Sequence, residues 1–60
     1  MHGDPRDFIN ARVVRADGSE PLGAAGVVED AQMDRPDGDV LLVRWATGTR
    51  WEKPTGLREI

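Results

Sequence analysis

These 60 residues contain no cysteine, no tyrosine, one histidine, one serine and one phenylalanine. Without cysteine there is no disulfide to stiffen the chain. With His2 as the lone imidazole, a Cys/His metal site is excluded. A nucleophile relay needs Ser, Thr or Cys beside a base. Ser19 falls in a turn-forming stretch and His2 in the polar start, so that chemistry has no pair to work with. No apolar run approaches the roughly 20 residues that cross a bilayer. The start Met1-His2-Gly3-Asp4 lacks the apolar core of a signal peptide. The expectation is a cytoplasmic protein with no membrane partner, no cofactor, no bound metal and no active site of its own.

Lysine is scarce too: Lys53 stands against seven arginines. A GC-rich genome produces that bias without function, and interfaces also enrich arginine. Eleven acidic and eight basic side chains give a net charge of −3. That balance opposes generic nucleic-acid binding, where a basic field supplies most of the affinity. Acidic groups cluster at Asp34, Asp37 and Asp39, around Pro36-Gly38. They lack the spacing and terminal bidentate Glu of a calcium loop, and turn formation accounts for them. Gly23-Ala24-Ala25-Gly26 is no phosphate loop, because no Lys-Ser/Thr and no helix follows.

What is present is a succession of short β-type segments broken by turn residues. Residues 1–6 are polar, contain Gly3 and Pro5, and read as a flexible arm; residues 7–60 read as one domain. Residues 8–14 have strand chemistry, and residues 16–23, with Asp17-Gly18 and Pro21, have loop chemistry. Residues 25–31 read as a second strand, in which Gly26 marks a bulge or a close backbone approach. Val40–Trp45 is the strongest strand. Its alternation sends Leu41, Val43 and Trp45 to the core and Val40, Leu42 and Arg44 outward. Thr47-Gly48 reads as a tight turn into residues 49–53. Pro54–Gly56 reads as one helical turn before a last strand at 57–60 that pairs back with the first. No ten-residue window has helical apolar spacing free of Gly or Pro. Five short strands in so short a chain predict an all-β fold, bent into a five-stranded barrel that hides most open edges.

Gly26-Val27-Val28, a loop, and then Val40-Leu41-Leu42-Val43-Arg44-Trp45-Ala46-Thr47-Gly48 resemble the middle of SH3-like barrels of the KOW and Mib/Herc2 type. The ending Pro54-Thr55-Gly56-Leu57-Arg58-Glu59-Ile60 resembles the short helical turn and closing strand of the same fold. Gly26-Val27-Val28-Glu29, Pro36-Asp37-Gly38 and Leu42-Val43-Arg44-Trp45 also resemble small actinobacterial proteins. The likeness covers residues 8–60 and implies a fold rather than a function, since this barrel hosts unrelated tasks. With no tyrosine, the aromatic proline-peptide groove of signalling SH3 domains is not matched. Nor do Phe8, Trp45 and Trp51 supply a methyl-lysine cage. The plasmid-type dihydrofolate reductase is similar in size and in its Leu-Arg-Glu-Ile-like ending. Its Val-Gln-Ile-Tyr active-site stretch has no counterpart here.

The functional candidates lie on the hairpin. With a two-residue Thr47-Gly48 turn, Trp45 faces Arg50, and Arg44 faces an outward Trp51 as a cation–π pair. With a three-residue loop, Trp45 faces Trp51 and both belong to the core. In the first arrangement an exposed Trp flanked by arginine has the composition of an interface hot spot. Val40, Leu42, Arg44, Arg50 and Trp51 are then the candidate surface for a protein partner or for self-association, unless a loop or the N-terminal arm covers it. The alternative is a KOW-like nucleic-acid accessory domain, with Arg12, Arg44, Arg50 and Arg58 on phosphates and Trp51 stacked on a base. An enzyme site assembled between subunits is a third class that no residue motif supports.

Overall fold

A computed structural model describes residues 4–33 and 35–60. Five strands form one antiparallel sheet: β1 Arg12–Arg15, β2 Gly26–Gln32, β3 Val40–Trp45, β4 Gly48–Glu52 and β5 Leu57–Glu59. Their spatial order is β4-β3-β2-β1-β5. The all-β expectation holds, and no α-helix occurs among the described residues. The sheet does not close on itself, since β4 and β5 are its two unpaired edges. Among the described residues, 3-10 turns occur at Pro5–Phe8, Pro21–Gly23 and Pro54–Gly56. Each places proline at its first position, where no N–H is needed.

Strand β3 falls where its alternation places it, and β5 pairs antiparallel with β1 as expected. The first strand is shorter than its residue types imply. Asp4 caps the first 3-10 turn by accepting a hydrogen bond from Arg6 N, which draws Phe8 into that turn. Asn10 then takes a left-handed φ of 75°, a conformation its side chain tolerates; Asn10 N and Ala11 O both bond to Val28, and the regular strand begins at Arg12. Phe8 still packs on the core from this turn.

Val13, Val28, Leu41, Val43, Trp45 and Leu57 form the buried cluster. They come from β1, β2, β3 and β5, with no covering layer of helix. A single sheet can bury them only by curling over its own inner face. One contact measures that curl. Strands β1 and β4 stand three places apart, about 14 Å in a flat sheet. Yet Arg15 of β1 reaches Glu52 of β4 at 2.7 Å.

Gly26 is buried against Trp45. A Cβ built there would lie 2.8 Å from Trp45 Cε3 and would also meet Val43 Cγ1. The anticipated close approach is therefore found at Gly26, but the bulge is not. The register shift falls between Val28 and Asp30, leaving Glu29 as the extra residue. That extra residue resets the alternation, so Val28 and Ala31, an odd number of positions apart, share the inner face. The shift also adds local twist, which the curl requires.

In the loop after β1, Asp17 accepts hydrogen bonds from Ser19 Oγ at 2.6 Å and Ser19 N at 3.0 Å. The Ser19 hydroxyl bond, and secondarily the backbone bond, holds the Asp17 carboxyl below its ordinary value. A lowered folded pKa stabilises the fold above the unfolded value, and that contribution disappears as pH falls through the folded pKa. Ser19→Ala therefore raises the Asp17 pKa toward the ordinary carboxylate value, read by NMR titration. Gly26→Ala forces Trp45 or the backbone to shift, at a cost of about 1–3 kcal/mol. Each kcal/mol lowers the melting temperature of so small a domain by about 4–8 °C, which a circular-dichroism melt measures.

Candidate functional site

The hairpin decides where the candidate residues stand. Trp45 pairs with Gly48, Arg44 with Thr49, Val43 with Arg50, Leu42 with Trp51 and Leu41 with Glu52. The two turn residues are therefore Ala46 and Thr47, not Thr47 and Gly48. Gly48 begins β4 with φ 129°, which a side chain would resist. This register replaces both arrangements of the two tryptophans that the residue types allowed. Trp45 is buried, with 3% of its surface exposed, and Trp51 lies on the opposite face with 44% exposed. Trp51 packs opposite Leu42 rather than opposite Arg44.

Of the five candidates, Leu42, Arg44 and Trp51 share the outer face. Val40 faces outward by alternation but is buried, with 7% exposed, so it adds no contact surface. Arg50 stands opposite Val43 and so belongs to the inner side of β4, at its exposed edge. Successive strand residues cannot share a face, which separates Arg50 from Trp51. No Arg44–Trp51 cation–π pair forms, because Arg44 Nη1 turns to Glu29 Oε2 at 3.3 Å. The bulge supplies that carboxylate.

The cation–π contact involves the other tryptophan. The Arg15 guanidinium lies 5.0 Å from the Trp45 ring centroid. Glu52 Oε2 accepts from Arg15 Nη2 at 2.7 Å and from Trp45 Nε1 at 2.9 Å. Arg15 and Glu52 side chains are 20% and 19% exposed. Arg15 Nε is buried without a hydrogen-bond partner, and the ring face beneath the guanidinium offsets part of that cost. Reading the sequence missed this clasp, although a signal exists. Arg15 lies two residues beyond core Val13, so alternation aims it inward, where a charge requires a partner.

The outer face carries more than the hairpin. Arg12 pairs with Val27, which pairs with Arg44, and Arg58 pairs with Val14. Half-buried Val14, Val27 and Leu42 thus run between Arg12, Arg44 and Arg58, with Trp51 at one end. Arg12, Arg50 and Arg58 make no ion pair among the described residues. Elsewhere, Leu22 is 83% exposed at the Pro21–Gly23 turn.

A cleft of about 390 Å³ opens between Pro5, the loop 37–39 and residues 53–55. Asp34 of the acidic turn and His2 lie outside the described residues. Among the described residues no three His, Cys, Asp or Glu side chains gather closely enough to hold a metal. No helix there is long and apolar enough to cross a membrane.

Comparison with protein-family models, curated proteins and solved structures finds no match to this chain.

The two indoles should separate cleanly by experiment. Trp45→Ala costs about 3–5 kcal/mol. At about 0.05–0.15 kcal/mol per residue, the whole domain holds only about 3–9 kcal/mol, so that variant loses a third or more of its stability, read as a large drop in melting temperature. Trp51→Ala loses a cross-strand pair with Leu42 worth about 0.2–1 kcal/mol and stays folded. Acrylamide should quench the fluorescence of a Trp45→Phe chain strongly and that of a Trp51→Phe chain weakly.

Proposed function

We propose that this chain is a non-catalytic interaction module of the SH3-like barrel kind, docking a protein chain through the outer side of the β3–β4 hairpin. The strand order β4-β3-β2-β1-β5 supports the SH3-like reading, as do the curl of the sheet and the single 3-10 turn before β5. The functional reading rests on one observation. Of three aromatic side chains, Phe8 and Trp45 serve the core, while Trp51 stands half exposed on the outer face beside Leu42. A ring that contributes little to folding and much to apolar surface is an anchor for a partner.

The placement of Arg12, Arg44 and Arg58 on the face that carries Trp51 favours a second reading, a KOW-like nucleic-acid accessory domain. Stacking on Trp51 with arginines along the backbone would be its mode. Two features weigh against it. The chain's net charge is −3, and Arg44 is already engaged by Glu29.

Two measurements decide between these readings. Capture from the native host with the parent chain should retain a specific protein that the folded Trp51→Ala chain loses; equal capture by both removes the docking reading. Labelled single-stranded RNA titrated at low salt should show no binding at about 100 μM, because even non-specific binders reach about 10⁻⁴–10⁻⁶ M. Binding in that range moves the assignment to nucleic acid.

A further inference from the structure

The hairpin leaves one edge of the sheet open, and its charges select an occupant. Strand β4 pairs only with β3. Gly48, Thr49, Arg50 and Trp51 are all exposed. The two-residue turn makes Trp45/Gly48 the closing hydrogen-bonded pair. By antiparallel alternation Arg50 and Glu52 also bond toward β3. The N–H and C=O groups of Thr49 and Trp51 therefore point away from the sheet, as does the N–H of Lys53, which is still extended at φ −79° and ψ 135° while its C=O accepts from Gly56 N at 3.0 Å. Edges of this kind are commonly blunted by proline, a bulge or very short length. The opposite edge, β5, spans three residues and carries Arg58 and Glu59. Strand β4 likewise carries Arg50 and Glu52, but it has five residues and no proline within it.

We infer that β4 is a self-pairing edge: two copies of this chain join antiparallel along residues 49–53, with Trp51 facing Trp51 of the second copy across a two-fold axis. This rests on the docking reading above and names the partner as the chain itself. Hydrogen-bond direction restricts the two-fold pairings to those that match outward residues with outward residues. Centring on residue 50 puts Arg50 against Arg50 of the second copy. Centring on residue 52 puts Glu52 against Glu52. Like charges directly opposed are unfavourable. Centring on Trp51 instead sets Arg50 beside Glu52 of the second copy, twice by symmetry, at a non-hydrogen-bonded position where side chains lie closest. Thr49 then pairs with Lys53.

The charges needed for this pairing are available. Arg50 has no ion-pair partner among the described residues, and Glu52 uses only Oε2 in the clasp with Arg15 and Trp45. Oε1 is the carboxylate oxygen left for Arg50 of the second copy. The two Trp51 rings meet on the outer faces beside the two Leu42 side chains. A single strand pair of this length buries less than a standard interface, so the association is weak, with a Kd of about 10 μM to 1 mM.

Sedimentation equilibrium of the full chain up to about 1 mM tests the inference, the ceiling being set by that affinity range. The parent should dimerise reversibly, and Arg50→Lys should do so nearly as well. Arg50→Glu sets two carboxylates against each other at both symmetric pairs with Glu52 and should weaken the dimer at least tenfold. Thr49→Pro removes an outward N–H without touching the β3 ladder, and it should also give monomer while keeping the parent circular-dichroism spectrum. Because the chain lacks cysteine, mixing Thr49→Cys with Lys53→Cys chains reads the register: mixed disulfides should form faster than Thr49→Cys pairs. A parent that stays monomeric overturns the inference, as does an Arg50→Glu chain that dimerises unchanged. If such a monomer still captures a protein through Trp51, the docking reading stands while self-pairing falls. If the dimer forms but Trp51→Ala captures as well as the parent, the reverse holds.

Discussion

Trp45 is where the constraints of this fold meet. Its ring requires a strand with no side chain beside it, and Gly26 of β2 provides one. Its indole N–H requires an acceptor inside the curl, and Glu52 provides it from β4. Its open face requires cover at the mouth of the sheet, and Arg15 of β1 lies over it while bonding the same carboxylate. Each partner comes from a different strand. The indole therefore sets how far the sheet must bend, and Leu41, Val43, Val28 and Leu57 pack within the space that bend creates. In a domain of this size one well-filled aromatic site is a large share of the total burial.

The bend also divides polar labour between the two sides. The half-buried charges of the inner side, Arg15 and Glu52, are paired with each other, while Arg50 on that side stands at the exposed edge. The bulge at Glu29 works similarly on the other side, giving Arg44 a carboxylate while moving Ala31 inward. What remains outside is an apolar line of Val14, Val27 and Leu42 ending at Trp51, set among three arginines. Glu29, paired with Arg44, and Asp30, opposite Leu42, lie on the same side, so the face carries both signs. The same hairpin that displays Trp51 also ends the sheet, so surface and edge are two aspects of one strand.

The elements themselves were readable from residue types. Val40–Trp45 alternates so regularly that its inner set, Leu41, Val43 and Trp45, could be named without coordinates. Pro54–Gly56 signalled its turn because proline and glycine bracket it. Where reading failed, the cause was a contact between distant residues or a one-residue choice of turn. Phe8 has a strand propensity, but the Asp4 cap and the left-handed Asn10 place it in a 3-10 turn instead. Val40 alternates outward and is nonetheless buried. Arg50 was grouped with Trp51 although adjacent strand positions oppose each other.

Sequence alone determined the class of this protein: short β segments, turn chemistry between them, and Trp45 as the core ring. These follow from local rules, namely backbone preference and alternation. Only the tertiary structure decided the hairpin register, the position of the bulge and the Arg15–Glu52–Trp45 clasp, and with them which tryptophan faces outward and which neighbours it meets. The physical reason is that moving a turn by one residue changes every cross-strand partner at almost no local cost. What selects among the alternatives is the fit of Trp45 against Gly26, residues at the far ends of β2 and β3.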